Sequence, residues 1–514
     1  MRRIKINKHL LVACITLSLL TTVFLAAGIA AEREDVIYAT LTSGFRCKGG
    51  DPATLTGAPP FVSRTVFDSL TTVTTNRVDL PALAKSFKVA PGWKYIDFFL
   101  RNDVKFHNGD PVTAQDVKFT LETYMRKDLK YVFGAIFRND ISQIEIMSPT
   151  QVRVHLVGGS GLLARLWWGG GIMPKAYREK VGDDGFADKP IGTGPFKWAG
   201  YKQDEWMKFE AVSKHYRKTP EIKTLKIVFV AEPSTILAML KAGEVDIASL
   251  IGPHAAEIKN DPNFKIQWVK EVSGSNMYYG DMLDPTTPSP FLDVRVRRAV
   301  NIAIDRKGIC ERLLFNASEP WGDVLPSLCL GFDKTLKPPV YDPEGAKKLL
   351  AEAGYAKGFS TTMHVQTTSA SWAEAIAANL ADIGIQTKVE KWEPGAYYGN
   401  YFGKKFRGLI PYVGWFDPEH TPTELSDFYL KGTLHAYYTT DEMDQLLRKA
   451  KYADTDEELV DLGRKMSKYL RESQITTFLW ANHSPYGLSS KIKYWEPVMG
   501  GAPPIEFETI KLNR

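Results

Sequence analysis

Residues 93–122, WKYIDFFLRNDVKFHNGDPVTAQDVKFTLE, decide the fold. Tyr95, Phe98 and Leu100 interrupt polar positions as a strand does. Asn108-Gly109-Asp110-Pro111 is a turn sequence. Thr113 then stands where a cap is wanted, before a helix carrying Val117, Leu121 and Tyr124 on one face. The block reads as strand, turn and helix, and it requires no catalytic group.

Outward from this block, strand and helix signals alternate to the end of the chain. Val36 to Tyr38 open extended structure, and Asp51-Pro52 and Pro59-Pro60 break the chain before a helix-like segment from Val62 to Leu70. Val228 to Val230 reads as strand. Ser234, after Pro233, reads as the cap of a helix carrying Ile236, Leu237 and Leu240 that Gly243 ends, and Val245 and Ile247 resume extended structure. Asp293 caps a helix through Val296, Ala299, Val300 and Ala303. Asp342-Pro343 supplies a cap and a proline at the first helical position, with Gly354 where a left-handed C-cap is wanted. Trp372, Ile376, Leu380 and Ile383 fall at helical spacing, as do Leu459, Leu462, Met466 and Leu470. Such alternation predicts mixed α/β domains. No solenoid repeat or low-complexity tract interrupts it.

Arg2, Arg3, Lys5 and Lys8 precede an apolar run from Leu10 to Ala27, and the small residues Gly28, Ala30 and Ala31 stand before Glu32-Arg33-Glu34-Asp35. This pattern reads as a secretory signal over residues 1–31. The run is as long as a membrane span, but small residues followed by charge favour cleavage over an uncleaved anchor. Leu11-Val12-Ala13-Cys14 fits a lipoprotein site yet comes too early in the apolar run. The chain carries 65 Lys and Arg against 59 Asp and Glu, and without the first 31 residues the balance is 61 against 59. A near-neutral surface gives no reason to invoke nucleic acid or an anionic membrane as a partner. At roughly 150 residues per domain, a processed chain of about 480 residues suggests two to four domains. Cys47, Cys310 and Cys329 survive processing, and either a Cys310–Cys329 disulfide or three reduced thiols fits.

The blocks that follow the opening stretch carry a resemblance. They are Gly192-Thr193-Gly194-Pro195-Phe196, then Leu240-Lys241-Ala242-Gly243-Glu244-Val245-Asp246, then Pro290-Phe291 through Arg295, Arg297 and Asp305-Arg306. Tyr341-Asp342-Pro343 to Gly354-Tyr355, Ile383-Gly384-Ile385 and Trp415 complete the order. From about residue 36 to 480 the chain resembles the family 5 extracellular solute-binding proteins, the capture subunits of ATP-binding-cassette importers. The resemblance implies an α/β, periplasmic-binding-protein-like two-lobed fold with an extra inserted domain, the cluster C type. It implies a first lobe from residues 32–75, 191–270 and 485–514, an inserted domain over 76–190 and a second lobe over 271–484. It also implies a monomer on the periplasmic or extracellular face that closes over a small-molecule or peptide ligand and presents it to a membrane permease and ATPase. No cofactor and no metal are expected.

Peptide-binding members of the family hold the ligand's amino terminus with an aspartate in a run resembling Trp-x-x-Asp-x-x-Asp-Pro. This chain has the shorter Trp415-Phe416-Asp417-Pro418, so only the later aspartate has a counterpart. Dipeptide binders also carry an arginine for the ligand's carboxylate just before the helix corresponding to Trp372, where this chain has Ser369-Ala370-Ser371. Leaving both charges of a buried dipeptide unpaired costs roughly several kcal/mol per ion. A longer peptide or peptide-like compound is therefore expected ahead of a sugar, an opine or a metal chelate. The candidate ligand-binding residues are Trp415, Phe416 and Asp417, the loop residues Ser43, Phe45 and Arg46, and Tyr279, Ser369 and Trp480.

Chemistry of another kind leaves no sequence signal. No histidine pair has the i, i+4 spacing of a helical zinc site, no Gly-x-Ser-x-Gly elbow occurs, and Gly192-Thr193-Gly194 lacks the rest of a nucleotide loop. His420 lies near Trp415 and reads more simply as a solvated loop histidine than as a ligand to a chelate. Asn316-Ala317-Ser318 and Asn482-His483-Ser484 match the glycosylation pattern. A secreted hydrolase on a similar scaffold and a binding protein that feeds a chemoreceptor are the alternative readings.

Overall fold

A computed structural model describes residues 33–41, 47–56, 61–74, 77–129, 131–157, 159, 166, 170–327, 329–415, 422–433, 435–497 and 506–513. The secretory signal read over residues 1–31 lies outside them. Eleven strands form one sheet. Val36–Leu41 runs between two parallel neighbours, Thr224–Val230 and Ile247–Ser249. Antiparallel Trp206–Ala211 and Phe196–Lys202 extend that side. On the other side Ile247–Ser249 pairs with Thr476–Ser489, which pairs with Phe264–Tyr279. Leu409–Trp415, Phe359–Gln366 and Ile385–Trp392 follow on that side, and the short Ser318–Pro320, off this path, pairs with Thr476–Ser489.

Phe264–Tyr279 and Thr476–Ser489 hold the two halves together. They are antiparallel, from Phe264 opposite Ser489 to Tyr278 opposite Thr476, and a 16-residue strand spans roughly 50 Å. At one end Val269, Val272, Tyr486 and Leu488 enter a core with Val36, Tyr38, Phe61 and Phe507. Helices Pro233–Lys241 and Gly252–Ile258 cover the opposite face there through Ile236, Leu237, Leu240, Ala255 and Ile258. At the other end Met277, Tyr278, Tyr279, Leu479 and Trp480 enter a separate core. Much of that second core is tyrosine: Tyr401 stacks on Tyr412 at 4.7 Å and on Tyr397 at 6.0 Å, and Tyr278 stacks on Tyr437 at 6.2 Å. Each half thus has its own apolar interior, and the two crossing strands join them.

The opening block builds a separate four-stranded sheet, ordered Ala84–Val89, Tyr95–Leu100, Gln151–Leu156 and Ile141–Ser148. Helix Ala114–Tyr124 buries Val117, Leu121 and Tyr124 as its spacing predicts. The Asp116 carboxylate accepts from the Thr113 N–H at 2.9 Å, the Thr113 hydroxyl at 2.7 Å and the Lys175 N–H at 2.9 Å. Gly192 and Gly194 are explained by close approach, since a Cβ would stand 2.1 Å from the Val66 carbonyl oxygen and 2.5 Å from that of Thr65, respectively.

Three local expectations change. The helix read over Val62 to Leu70 is confined to Phe61–Thr65, and the chain is a strand again by Thr71. Helix Pro233–Lys241 begins at Pro233 after Glu232, so Ser234 is inside it and not its cap, because a first-turn proline has no N–H to be satisfied. Cys310 and Cys329 are both buried and free, which removes the disulfide alternative in this structure.

Candidate functional site

The seam between the two cores crosses the long strands where their sequence turns polar. Residues 481–485 of Thr476–Ser489 join neither core, and Asn482, His483 and Ser484 are half-buried between fully buried neighbours. Ser318, Asn482, Ser273 and Trp415 stand side by side on four adjacent strands. Directly opposed residues share a sheet face. The Asn482 amide accordingly donates to the Ser273 hydroxyl at 2.9 Å and the Ser275 hydroxyl at 3.0 Å, and its oxygen accepts from the Ser318 hydroxyl at 2.8 Å.

Aromatic residues flank this polar row at period two. Trp480, two residues before Asn482, packs edge-on against Trp372 at 5.2 Å. Trp372 lies in helix Ala370–Asp382, and Ser369 precedes that helix half-buried, making no cap bond with its side chain. On the other side of the row Tyr486 abuts Tyr38, whose hydroxyl pairs with that of Ser249 at 2.9 Å. The first strand ends at Leu41 and Leu409–Trp415 ends at Trp415, so the register brings both strand ends to the level of the seam.

The strands are irregular at the same level. Their register shifts between Val269 and Ser273, and Glu271 there has a left-handed backbone with φ 54°. Its N–H donates to His483 Nδ1 at 3.1 Å, and its carboxylate accepts from the Ser327 N–H and hydroxyl at 2.7 and 2.8 Å. Burial, helped by Lys270, lowers the His483 pKa against the pull of Glu319 and Glu271. A neutral imidazole with a free Nδ1 lone pair is what the Glu271 amide requires.

Of the residues singled out in the sequence, Tyr279 lies in the second core, with its hydroxyl paired to that of Thr477 at 2.6 Å. Trp480 is enclosed in the same core, two residues from Asn482, and Ser369 stands half-buried before helix Ala370–Asp382. Ser43, Phe45, Arg46, Phe416 and Asp417, with His420, lie outside the described residues, as does the side chain of Trp415. Asn482, Ser273, Ser275 and Ser318 were not singled out as site residues. Their signal was present as the polar Asn482-His483-Ser484 triplet inside an apolar strand, which reads on its own as a glycosylation pattern.

A second polar cluster, of Asp68, His215, Arg217 and Glu508, is bonded within itself. Burial would raise the Asp68 pKa, yet Arg217 and His215 outweigh it and bring the group to about 2. Arg217 also binds Glu508, and His215 Nε2 is shared between Asp68 at 3.1 Å and the Thr193 carbonyl at 3.0 Å. Every member is engaged within the fold. Among the described residues no group of three His, Cys, Asp or Glu side chains is placed to hold a metal ion.

Two cores joined by crossing strands, with a polar seam between them, define a two-lobed periplasmic binding protein. The chain belongs to the bacterial extracellular solute-binding proteins, family 5, matching the description of that family's middle region over residues 80–433. It is 27% identical to di/tripeptide-binding protein 1 of Pseudomonas aeruginosa over 88% of this chain and 90% of that protein. It is 30% identical to heme-binding protein A of Haemophilus influenzae over 65% of this chain and 66% of that one. The periplasmic binding protein DppA of Helicobacter pylori, solved with the peptide STSA, superposes with a TM-score of 0.75 at 25% identity, over 93% of this chain and 98% of that one. The chain is a transport binding protein and not an enzyme. Among the described residues no helix is long and apolar enough to cross a membrane.

Proposed function

We propose that this protein captures a peptide of three to five residues, or a peptide-like compound, at the seam between its lobes and delivers it to the permease and ATPase of an importer. The observation that carries the reading is the hydroxyl and amide row of Ser273, Ser275, Asn482 and Ser318, set where both apolar cores stop. The Ser273, Ser275 and Ser318 side chains are buried and bonded to Asn482, and a hydroxyl, which donates once and accepts twice, keeps a further position that suits a peptide N–H or C=O without selecting a charge. Di/tripeptide-binding relatives and a peptide-bound neighbour support the class. Ser369-Ala370-Ser371 puts no cation at the start of helix Ala370–Asp382, which argues against a dipeptide anchored by its carboxylate. Export by a signal cleaved near residue 31 and an inserted domain over 76–190 belong to the same reading.

Mass spectrometry of what co-purifies, followed by a thermal-shift screen, tests it. Tri- to pentapeptides should raise the unfolding temperature saturably by a few degrees, because ligand at about 100 times Kd adds about 2.7 kcal/mol. A shift produced by heme or a nickel–histidine complex and by no peptide would sink the proposal.

A further inference from the structure

The four-stranded unit also touches the second lobe, far in sequence from the crossing strands. Its Pro91-Gly92-Trp93 turn joins two strands, and both Gly92 (φ 64°) and Trp93 (φ 53°) have left-handed backbones. A tryptophan adopts that region rarely and at a cost. Here it sends two donors to one segment of the other lobe. The Gly92 N–H donates to Asp454 Oδ1 at 2.7 Å, and the Trp93 indole N–H donates to the Ala453 carbonyl at 2.8 Å. Just before them Lys451, the last residue of helix Asp441–Lys451, reaches Asp140 at 3.6 Å. Its methylenes cover Gly159 so closely that a Cβ there would stand 2.3 to 2.9 Å from them. Three parts of the unit thus meet one helix end.

We infer that Trp93 is a positioning residue for ligand retention: it latches the four-stranded unit to the second lobe when the lobes are closed, so that affinity depends partly on a contact outside the seam. The inference rests on the lobe-closure reading above. The contact is polar, directional and partly exposed, with Gly92 and Asp454 at the surface, which suits a joint that is made and broken. Any contact present in the closed form alone raises the closed population and lowers the apparent Kd by the same factor.

Hydrogen exchange and solution scattering on the whole mature chain test this with Trp93→Phe, which removes the indole donor, and Asp454→Ala, an exposed change on the opposite side. Both should speed exchange of amides 90–94 at least tenfold. Both should also move the radius of gyration toward that of wild-type protein stripped of small molecules in guanidinium and refolded. Faster exchange at 90–94 with wild-type scattering would overturn the latch and leave closure standing. Wild-type scattering that is the same before and after stripping would overturn closure itself.

Discussion

The Glu271 N–H donates to Nδ1 of His483 across the two crossing strands, joining residues 212 positions apart at the level where the lobes meet. Glu271 has a left-handed backbone there, and its carboxylate is the acceptor for both Ser327 donors. Glu271→Ala keeps the unfavourable backbone and strands those donors, a loss of about 1–3 kcal/mol. Glu271→Gly strands the same donors but relieves the backbone, so it should be about 1 kcal/mol less damaging than Glu271→Ala. Urea midpoints compare the two, and an order in which glycine is the worse substitution would remove the backbone argument.

Arg178 and Asp51 form a two-pronged pair at 2.8 and 2.7 Å, with both side chains almost wholly buried. Arg178 also donates to Asp183 Oδ1 at 2.9 Å, so removing Asp51 leaves the buried guanidinium one half-exposed carboxylate and two stranded donors, a loss of about 1–3 kcal/mol. Asp51→Ala should therefore unfold at a clearly lower denaturant concentration. Arg178→Met combined with Asp51→Leu should recover much of that loss, because neither charge remains. A double variant as unstable as Asp51→Ala would mean that packing, and not charge, sets the cost.

Acid should weaken the fold in two steps. Burial holds both His107 and His435 down at about 4, with Lys197 and Lys404 contributing respectively. Between pH 6.5 and 4 these two side chains take up protons in the unfolded chain that they refuse in the folded one. Stability is therefore complete above about pH 6.5, falls as pH drops and levels off near pH 4, by about 2–4 kcal/mol in all for two half-buried groups. Asp68, held at about 2, contributes stability that is present above its unfolded pKa and lost as pH falls through 2. Unfolding midpoints from pH 8 to 4 read the first step, and His107→Gln with His435→Gln should flatten it.

Local structure was legible in the sequence wherever a short-range rule decides it. Asp293 and Asp342 cap their helices through the amides of Arg295 and Gly345, and Gly354 has the left-handed φ of 91° that its position demands. Family order supplied the two-lobed fold, which periodicity could not. The seam was not legible, because Ser273, Ser318 and Asn482 come from three distant segments and meet through strand register. The Trp93 contact was hidden for the same reason.

Trp415 and Tyr279, both candidates on sequence, separate sharply by position. Trp415 ends its strand in register with Ser273 and hence with Asn482, at the seam. Tyr279 is enclosed by the second core, and its hydroxyl is committed to Thr477. Trp415→Ala should weaken binding of the best peptide from the screen at least tenfold, a loss of about 1.4 kcal/mol or more, while the denaturant midpoint stays near that of wild type. Tyr279→Phe should do the reverse, leaving affinity unchanged and removing about 1 kcal/mol of stability with the buried hydrogen bond. Calorimetric titration beside urea unfolding reads both quantities on each variant. Normal binding by Trp415→Ala would move the ligand away from this strand end, whatever the seam's polar row contributes.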